Sequence, residues 1–305
     1  MKLPERRHVY QHHHFDSTRW NYLVHRPGDI VISTSYKAGT TWMQGIVGHL
    51  LFPDGMPASR YQLSPWLDDR SVPLELALNA LGAQSHRRFI KTHLPLDGLP
   101  YHPDVQYIVV GRDARDVFVS LLNHWSNHTP EFYRRLNEIP GRVGAPFPHY
   151  VDDVPARWRD WITRGWFEWE SDGYPYWSHL HHCRTWWEFR HLPNIKLVHY
   201  ADLLADLDGQ MRAIADYLGI DVPASRWPHV VAACTFAAMK RKALAVDDAG
   251  MRTVWKDGAN TFFNKGTNGR WRDVLSASDL ALYDAAVKKT LPDDCARWLE
   301  SGGAC

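Results

Sequence analysis

Several absences narrow this chain first. Lys plus Arg total 35 against 34 Asp plus Glu, a net charge of +1, so no excess of either sign proposes nucleic acid or an anionic membrane as the main partner. Any basic patch must therefore be local. No apolar run approaches the roughly 20 residues of a membrane span, and the N-terminal MKLPERRHVY lacks a hydrophobic signal core, which predicts a soluble cytoplasmic protein with no transmembrane segment. Cysteine is scarce: Cys183, Cys234, Cys295 and Cys305 make no C-x-x-C pair, against a zinc ribbon or a disulfide framework and in favour of reduced thiols. No internal repeat is visible.

What is present is ample for a core, with 45% hydrophobic and 13% aromatic residues over 305 positions. The stretch Asp29 to Leu51 organises the rest. Ile30, Val31 and Ile32 form the β-branched run of a strand buried on both faces, and from Trp42 the residues Met43, Ile46, Val47, Leu50 and Leu51 recur at helical spacing. The helix is expected to start near Thr40 or Thr41. Between the two, Ser33 to Thr41 is hydroxyl-rich and singly basic. A helix N-terminus offers unpaired N–H groups, Gly39 lets backbone approach a ligand, and Lys37 adds a full charge, so the turn suits a phosphate. The order is not that of a Walker A loop, because Lys37 precedes the only glycine and two threonines follow it. The plainer alternative is a strand-to-helix turn with a threonine cap.

Residues 1 to 28 read as a polar, aromatic lead-in, with His12, His13 and His14 a solvated surface run. Phe52 to Ser71 is a Pro-, Gly- and Ser-rich loop whose Trp66 and Leu67 are pocket wall or core cover. After a helix over about Pro73 to Leu81, Arg88 to His93 reads as a second strand. Its Lys91 and His93, two apart, face the same side at a strand end, where open α/β sheets bind ligands. The third strand, Gln106 to Gly111, runs into Arg112 and a helix with Val117, Phe118, Leu121, Leu122 and Trp125 on one face; Asp113 and Asp116 resemble a capping box. Arg112, at this second junction, is an anion ligand or the partner of a neighbouring aspartate. Ser120 lies two turns in.

The tryptophan-rich segment 126 to 190 reads as weakly regular until Trp186, and as either cover for an apolar acceptor or a satellite core. Ile195 to Tyr200 is the fourth strand, followed by one helix with Leu203 to Leu218 stopped at Gly219. Val230 to Leu244 is helical; Asp247 to Trp271 is a Gly- and Asn-rich loop in which Lys265 and Gly266 close over an anion or merely connect elements. A last helix spans about Ser278 to Thr290. This alternation predicts a single α/β domain over residues 1 to 305, with a central parallel β-sheet flanked by helices.

Taken together the motifs resemble the cytosolic-type sulfotransferases, which use 3′-phosphoadenosine 5′-phosphosulfate (PAPS) as co-substrate and release adenosine 3′,5′-bisphosphate (PAP). The likeness is nearest to bacterial members acting on glycolipids or small hydroxylated compounds, and it implies a P-loop-like fold. Tyr36 to Trp42 is similar to the family's 5′-phosphosulfate loop, Lys91 to Pro95 to its catalytic-histidine strand end, and Val110 to Ser120 to its 3′-phosphate motif. Trp186-Trp187-Glu188 also matches a common family tag. By that resemblance His93 is the general base, Lys37 and Lys91 offset growing charge, and Ser120 diverts Lys37 until acceptor arrives. Donor contacts then fall on Lys37, Ala38, Gly39, Thr40, Thr41, Trp42, Arg112, Ser120, Tyr200, Cys234, Phe236, Asn264, Lys265 and Gly266. No metal is implied.

The chain departs from the family in three places. Asn264 replaces an arginine that grips the 3′-phosphate, Cys234 replaces a threonine near the adenine, and no C-terminal dimer motif follows Trp271, so the oligomeric state stays open. The acceptor is expected to be a small apolar or amphipathic hydroxyl compound, a phenol, sterol, glycolipid or similar. Two alternatives stand beside this reading: a magnesium-dependent small-molecule kinase, which needs carboxylates around its metal, and a nucleotide-binding module without transfer activity.

Overall fold

Four short runs of β-branched and aromatic residues build the centre: β1 (Ile30–Thr34), β2 (Phe89–Thr92), β3 (Gln106–Gly111) and β4 (Ile195–His199). The computed structural model describes residues 2–246 and 249–304. The strands are all parallel, in the order β2-β1-β3-β4, with Ser33 opposite Thr92, Thr34 opposite Val110 and Gly111 opposite His199. This is the α/β sheet expected from the alternation.

Strand residues alternate between two cores, as a period of two requires. Val31, Ile90, Tyr107, Val109 and Ile195 join the larger cluster, whereas Ile30, Ile32, Phe89, Ile108, Val110 and Val198 join the smaller. The smaller core is closed by the helices Thr40–Leu51 and Leu207–Leu218, which contribute Met43, Ile46, Val47 and Leu50, and Met211, Ile214 and Leu218. Ala114–Ser126, Val154–Thr163, His179–Trp187, Ala277–Thr290 and Asp293–Ser301 close the larger one.

Several sequence expectations fail here, for identifiable reasons. His12, His13 and His14 are not a solvated run; they are buried, packed against Phe15, Trp166 and Trp66 with centroid separations of 4.1, 4.7 and 5.0 Å. Burial holds them neutral, His13 and His14 being pushed down to about 3, so they behave as aromatic wedges rather than charges. The segment 126 to 190 is regular, with helices Pro130–Asn137, Val154–Thr163 and His179–Trp187. Trp158, Trp161, Trp177, Trp186 and Trp187 are core residues, each under 5% exposed. The two expected single helices after β4 are each broken where a side chain caps a fresh start: Asp206 at Leu207–Leu218 and Thr235 at Phe236–Ala245. The loop after residue 246 contains helices Ala249–Val254 and Gly258–Phe262, and Asp293–Ser301 is an unforeseen terminal helix. Asp247, Asp248 and Cys305 lie outside the described residues.

Candidate active site at the carboxyl edge of the sheet

β1 ends at Thr34, and the chain turns sharply through Ser35 to Gly39 into the helix Thr40–Leu51. Lys37 has φ 63°, the one non-glycine residue with positive φ among the described residues, a conformation that costs of the order of 1–3 kcal/mol and persists where surroundings over-determine it. Gly39 is the N-cap at φ 119°, and a Cβ there would sit 3.1 Å from the Tyr200 ring, so no threonine side chain caps this helix. The first turn is left open.

The second junction lies against the first. Nη1 of Arg112 donates to the Lys37 carbonyl at 3.1 Å and Nη2 to the Thr267 carbonyl at 3.0 Å, while the guanidinium lies 4.1 Å from the Tyr200 ring centroid. Among the described residues it makes no ion pair with a carboxylate. Asp113 is taken by Arg115 at 2.8 Å, and Asp116, instead of completing a capping box, accepts from the backbone of Gly269 at 2.8 Å and Arg270 at 3.2 Å. Asp116 thereby pins the Asn264–Arg270 loop over the junction. Gly266 (φ 67°) is required there, since a Cβ would lie 2.6 Å from the Phe236 ring.

At the end of β2 the ring of His93 is buried, and its Nδ1 sits 2.8 Å from the Thr34 carbonyl. A carbonyl only accepts, so Nδ1 carries the proton and Nε2 keeps its lone pair. Burial, then the Lys91 charge, holds this imidazole neutral, well below its ordinary range. Lys91 lies 4.1 Å from the Trp66 ring centroid, and burial lowers it to about 8. Lys37 falls further, to about 7, through burial and then the charges of Arg112 and Lys91.

All of this borders one cavity of about 1070 Å³. Lys37, Lys91, Arg112, Arg135, Lys265 and Arg270 line it against a single carboxylate, Asp69, in a chain of net charge +1. The expected residues His93, Ser120, Gly39, Thr40, Thr41, Trp42, Tyr200, Phe236, Asn264 and Gly266 line it too. Two do not. Ala38 is fully buried in the larger core, and the Cys234 side chain is fully buried in the smaller one, its carbonyl accepting from Trp42 Nε1 at 2.8 Å. Nor does Ser120 engage Lys37: the Lys37 ammonium lies 3.5 Å from Nδ1 of His124.

Sequence reasoning missed His14, His124, Trp255, Phe262 and Arg270, and placed Tyr36 only within the phosphosulfate-like loop; all of these line the cavity. For His124 a signal existed, because it stands one turn beyond Ser120 on the same helix and so shares its face. His14 and Trp255 arrive from distant segments and carry no such signal.

A parallel sheet that gathers buried cations and a neutral imidazole at its carboxyl edge has the construction of a group-transfer site for an anionic donor. Residues 27–294 match the family model described as "Sulfotransferase domain", and the chain belongs to the sulfotransferase family. It is 35% identical over 310 residues to the glycolipid sulfotransferase of Mycobacterium bovis (strain BCG / Pasteur 1173P2), with 96% of this chain and 94% of that one covered. The fold is shared with mouse sulfotransferase SULT7A1, solved in complex with PAP (TM-score 0.69, 18% identity, 95% and 97% covered). It is shared also with retinol dehydratase, solved with androsterone and inactive cofactor PAP (TM-score 0.66, 24% identity, 90% and 84% covered).

Proposed function

We propose that this protein transfers the sulfuryl group of PAPS to a hydroxyl of an amphipathic acceptor of glycolipid type. The observation that carries the reading is His93: Nδ1 is tied to the Thr34 carbonyl, leaving the Nε2 lone pair at the wall of the cavity that Lys37, Lys91 and Arg112 also line. The donor supplies an activated sulfuryl group and departs as PAP. His93 Nε2 removes the acceptor proton, a role that typically contributes about 10² to 10⁴-fold. Lys37 and Lys91 are preorganised cations for the charge that develops at the 5′ end. Arg112, Ser120, Lys265 and Gly266 hold the 3′-phosphate, Gly39, Thr40 and Thr41 the 5′ end, and Trp42, Tyr200 and Phe236 surround the base. Arg270 stands in for the arginine absent at Asn264.

The acceptor end favours an amphiphile. Val72, Leu76, Ala77, Ala80 and Ala83 give one wall of the cavity an apolar surface, with Leu76 61% exposed at its rim. The name of the mycobacterial relative agrees with that chemistry. Against a magnesium-dependent kinase stands the donor set: Asp69 is the one carboxylate lining the cavity, and its oxygens accept from the Ser71 backbone at 2.8 Å and hydroxyl at 2.9 Å. The test is mass spectrometry of a pooled panel of phenols, sterols and glycolipids incubated with PAPS. An added sulfate on a glycolipid, undiminished by a chelator, is the expected result. PAP binding without transfer to any acceptor would leave only a nucleotide-binding module, and ATP-driven transfer dependent on magnesium would favour the kinase.

A further inference from the structure

Beside His93 the cavity has a second polar pole whose hydrogen bonds can be assigned. Nδ1 of His124 lies 3.1 Å from Nε1 of Trp255, and an indole N–H can only donate, so Nδ1 is the acceptor. The 3.5 Å approach of the Lys37 ammonium to the same nitrogen agrees with that assignment. The imidazole is buried and held neutral, well below its ordinary range, by burial and then by Lys37. Its one proton is therefore on Nε2, which lies 2.9 Å from the Tyr36 hydroxyl and donates to it. The hydroxyl's own hydrogen is left over. Among the described residues Tyr36 Oη has no other partner, and burial raises the phenol well above its ordinary range, so it stays a donor.

The phenol cannot swing away to satisfy itself. Its ring stacks on Tyr176 at 4.5 Å and meets the edge of Trp177 at 4.9 Å, and the centroid lies 5.4 Å from that of His93. The cavity thus presents two complementary groups on neighbouring walls: a lone pair on His93 that takes a proton and an O–H on Tyr36 that gives a hydrogen bond. A lone phenol or sterol has one oxygen, which must give its proton to His93 and a lone pair to the sulfur, so a hydrogen bond from Tyr36 to that same oxygen would weaken the nucleophile. A sugar headgroup, with oxygens on adjacent carbons, engages both.

We infer that Tyr36, oriented by His124, is a specificity residue that selects acceptors carrying a second oxygen beside the hydroxyl to be sulfated, such as the vicinal diol of a sugar. The inference rests on the sulfuryl-transfer reading above and deepens its acceptor side. A buried donor left unpaired by the wrong ligand penalises that ligand, which is how a polar site discriminates where an apolar one cannot.

The experiment compares octyl β-D-glucoside with 4-octylphenol, which has the same alkyl chain and a single hydroxyl. With the full chain, kcat/KM for PAPS-dependent sulfation and dissociation constants in the presence of PAP are measured for both. Tyr36→Phe should lower the glucoside-to-phenol ratio by roughly tenfold or more in either readout. His124→Phe should lower it in the same direction, and His124→Gln, whose amide keeps an acceptor for Trp255 and a donor for Tyr36, should recover much of the difference. An unchanged ratio in Tyr36→Phe, whether both acceptors hold or fall together, overturns the inference. So does a His124→Gln enzyme no better than His124→Phe. If wild-type protein transfers sulfate to neither compound yet binds the glucoside in a Tyr36-dependent way, the transfer reading fails while the selectivity stands.

Discussion

The two ends of the cavity are built differently. The end we propose for the anionic donor is lined by residues that follow strand ends in sequence: Lys37 to Trp42 after β1, Arg112 and Ser120 after β3, and Tyr200 after β4. The end we propose for the acceptor is walled by side chains from outside the four strands: His14 from the lead-in, Trp66 from a loop that bridges Lys91 of β2, Phe132 from the helix Pro130–Asn137, and Trp255 and Phe262 from the segment after residue 248. The first is held by backbone geometry and the second mainly by aromatic packing, with backbone bridges at Trp66 and Trp255. A site whose shape comes from main-chain turns tolerates little change, whereas one walled by side chains can be re-cut for a new acceptor without disturbing the donor.

That contrast fails if a residue at the boundary cannot separate binding from transfer. His93 is that residue. His93→Ala should cut turnover by about 10² to 10⁴-fold while PAP binding, measured by calorimetry, stays within a few-fold of wild type. Turnover that survives the substitution would remove His93 as the base. Next in size is Arg112→Ala, which removes charge-assisted contacts and should weaken PAP by roughly ten- to a hundred-fold, with the acceptor's dissociation constant little changed. A donor titration that does not move would take the 3′-phosphate away from Arg112.

The same contrast explains what could be read in advance. Strand ends are legible because β-branched runs, a polar turn and helical periodicity occur in a fixed order, so β1, β3 and both junctions emerge within a residue of their observed limits. Apart from Trp66, whose loop offered pocket wall or core cover as alternatives, the acceptor wall was illegible because its residues meet only through tertiary packing. A triple histidine near a terminus carries no apolar period, yet His14 ends up lining the cavity and its neighbours fill the aromatic core. Tryptophans invite a pocket reading, but Trp158 and Trp186 are fully buried in the larger core and do not line the cavity. Ala38 and Cys234 show the converse: a residue can match a motif while its side chain faces a core.

The charge at the donor end makes a pH prediction with a definite sign. Lys37 is lowered to about 7 in the free protein, so above that pH most of its ammonium is neutral. An anionic ligand favours the charged form and raises the value in the complex. PAP binding near pH 8 should therefore be accompanied by proton uptake, and affinity should fall by up to about tenfold per pH unit between roughly 7 and 9. Calorimetry in buffers of different ionisation enthalpy reads the protons directly. Lys91, lowered to about 8, titrates in the same window, so Lys37→Met is the variant that separates them. Uptake that persists unchanged in Lys37→Met would assign the effect elsewhere and detach Lys37 from the donor end.

The smallest effect asks whether the donor end has been repaired where its loop departs from the family. Asn264 supplies no charge, but Arg270 lines the same cavity and contributes to lowering the Arg112 guanidinium. Its backbone N–H is held by Asp116 at 3.2 Å independently of its side chain, so Arg270→Ala should leave the loop in place and remove only the guanidinium. One partly screened cationic contact is worth of the order of 1 kcal/mol, about a fivefold loss of PAP affinity. If Arg270 does the work of the missing arginine, the two positions are interchangeable: Asn264→Arg should restore PAP affinity to the Arg270→Ala protein while adding little to wild type, because the phosphate is already neutralised. A gain from Asn264→Arg that is equal in both backgrounds would mean the positions act independently. The donor end would then be short of one cation, and its geometry alone would compensate.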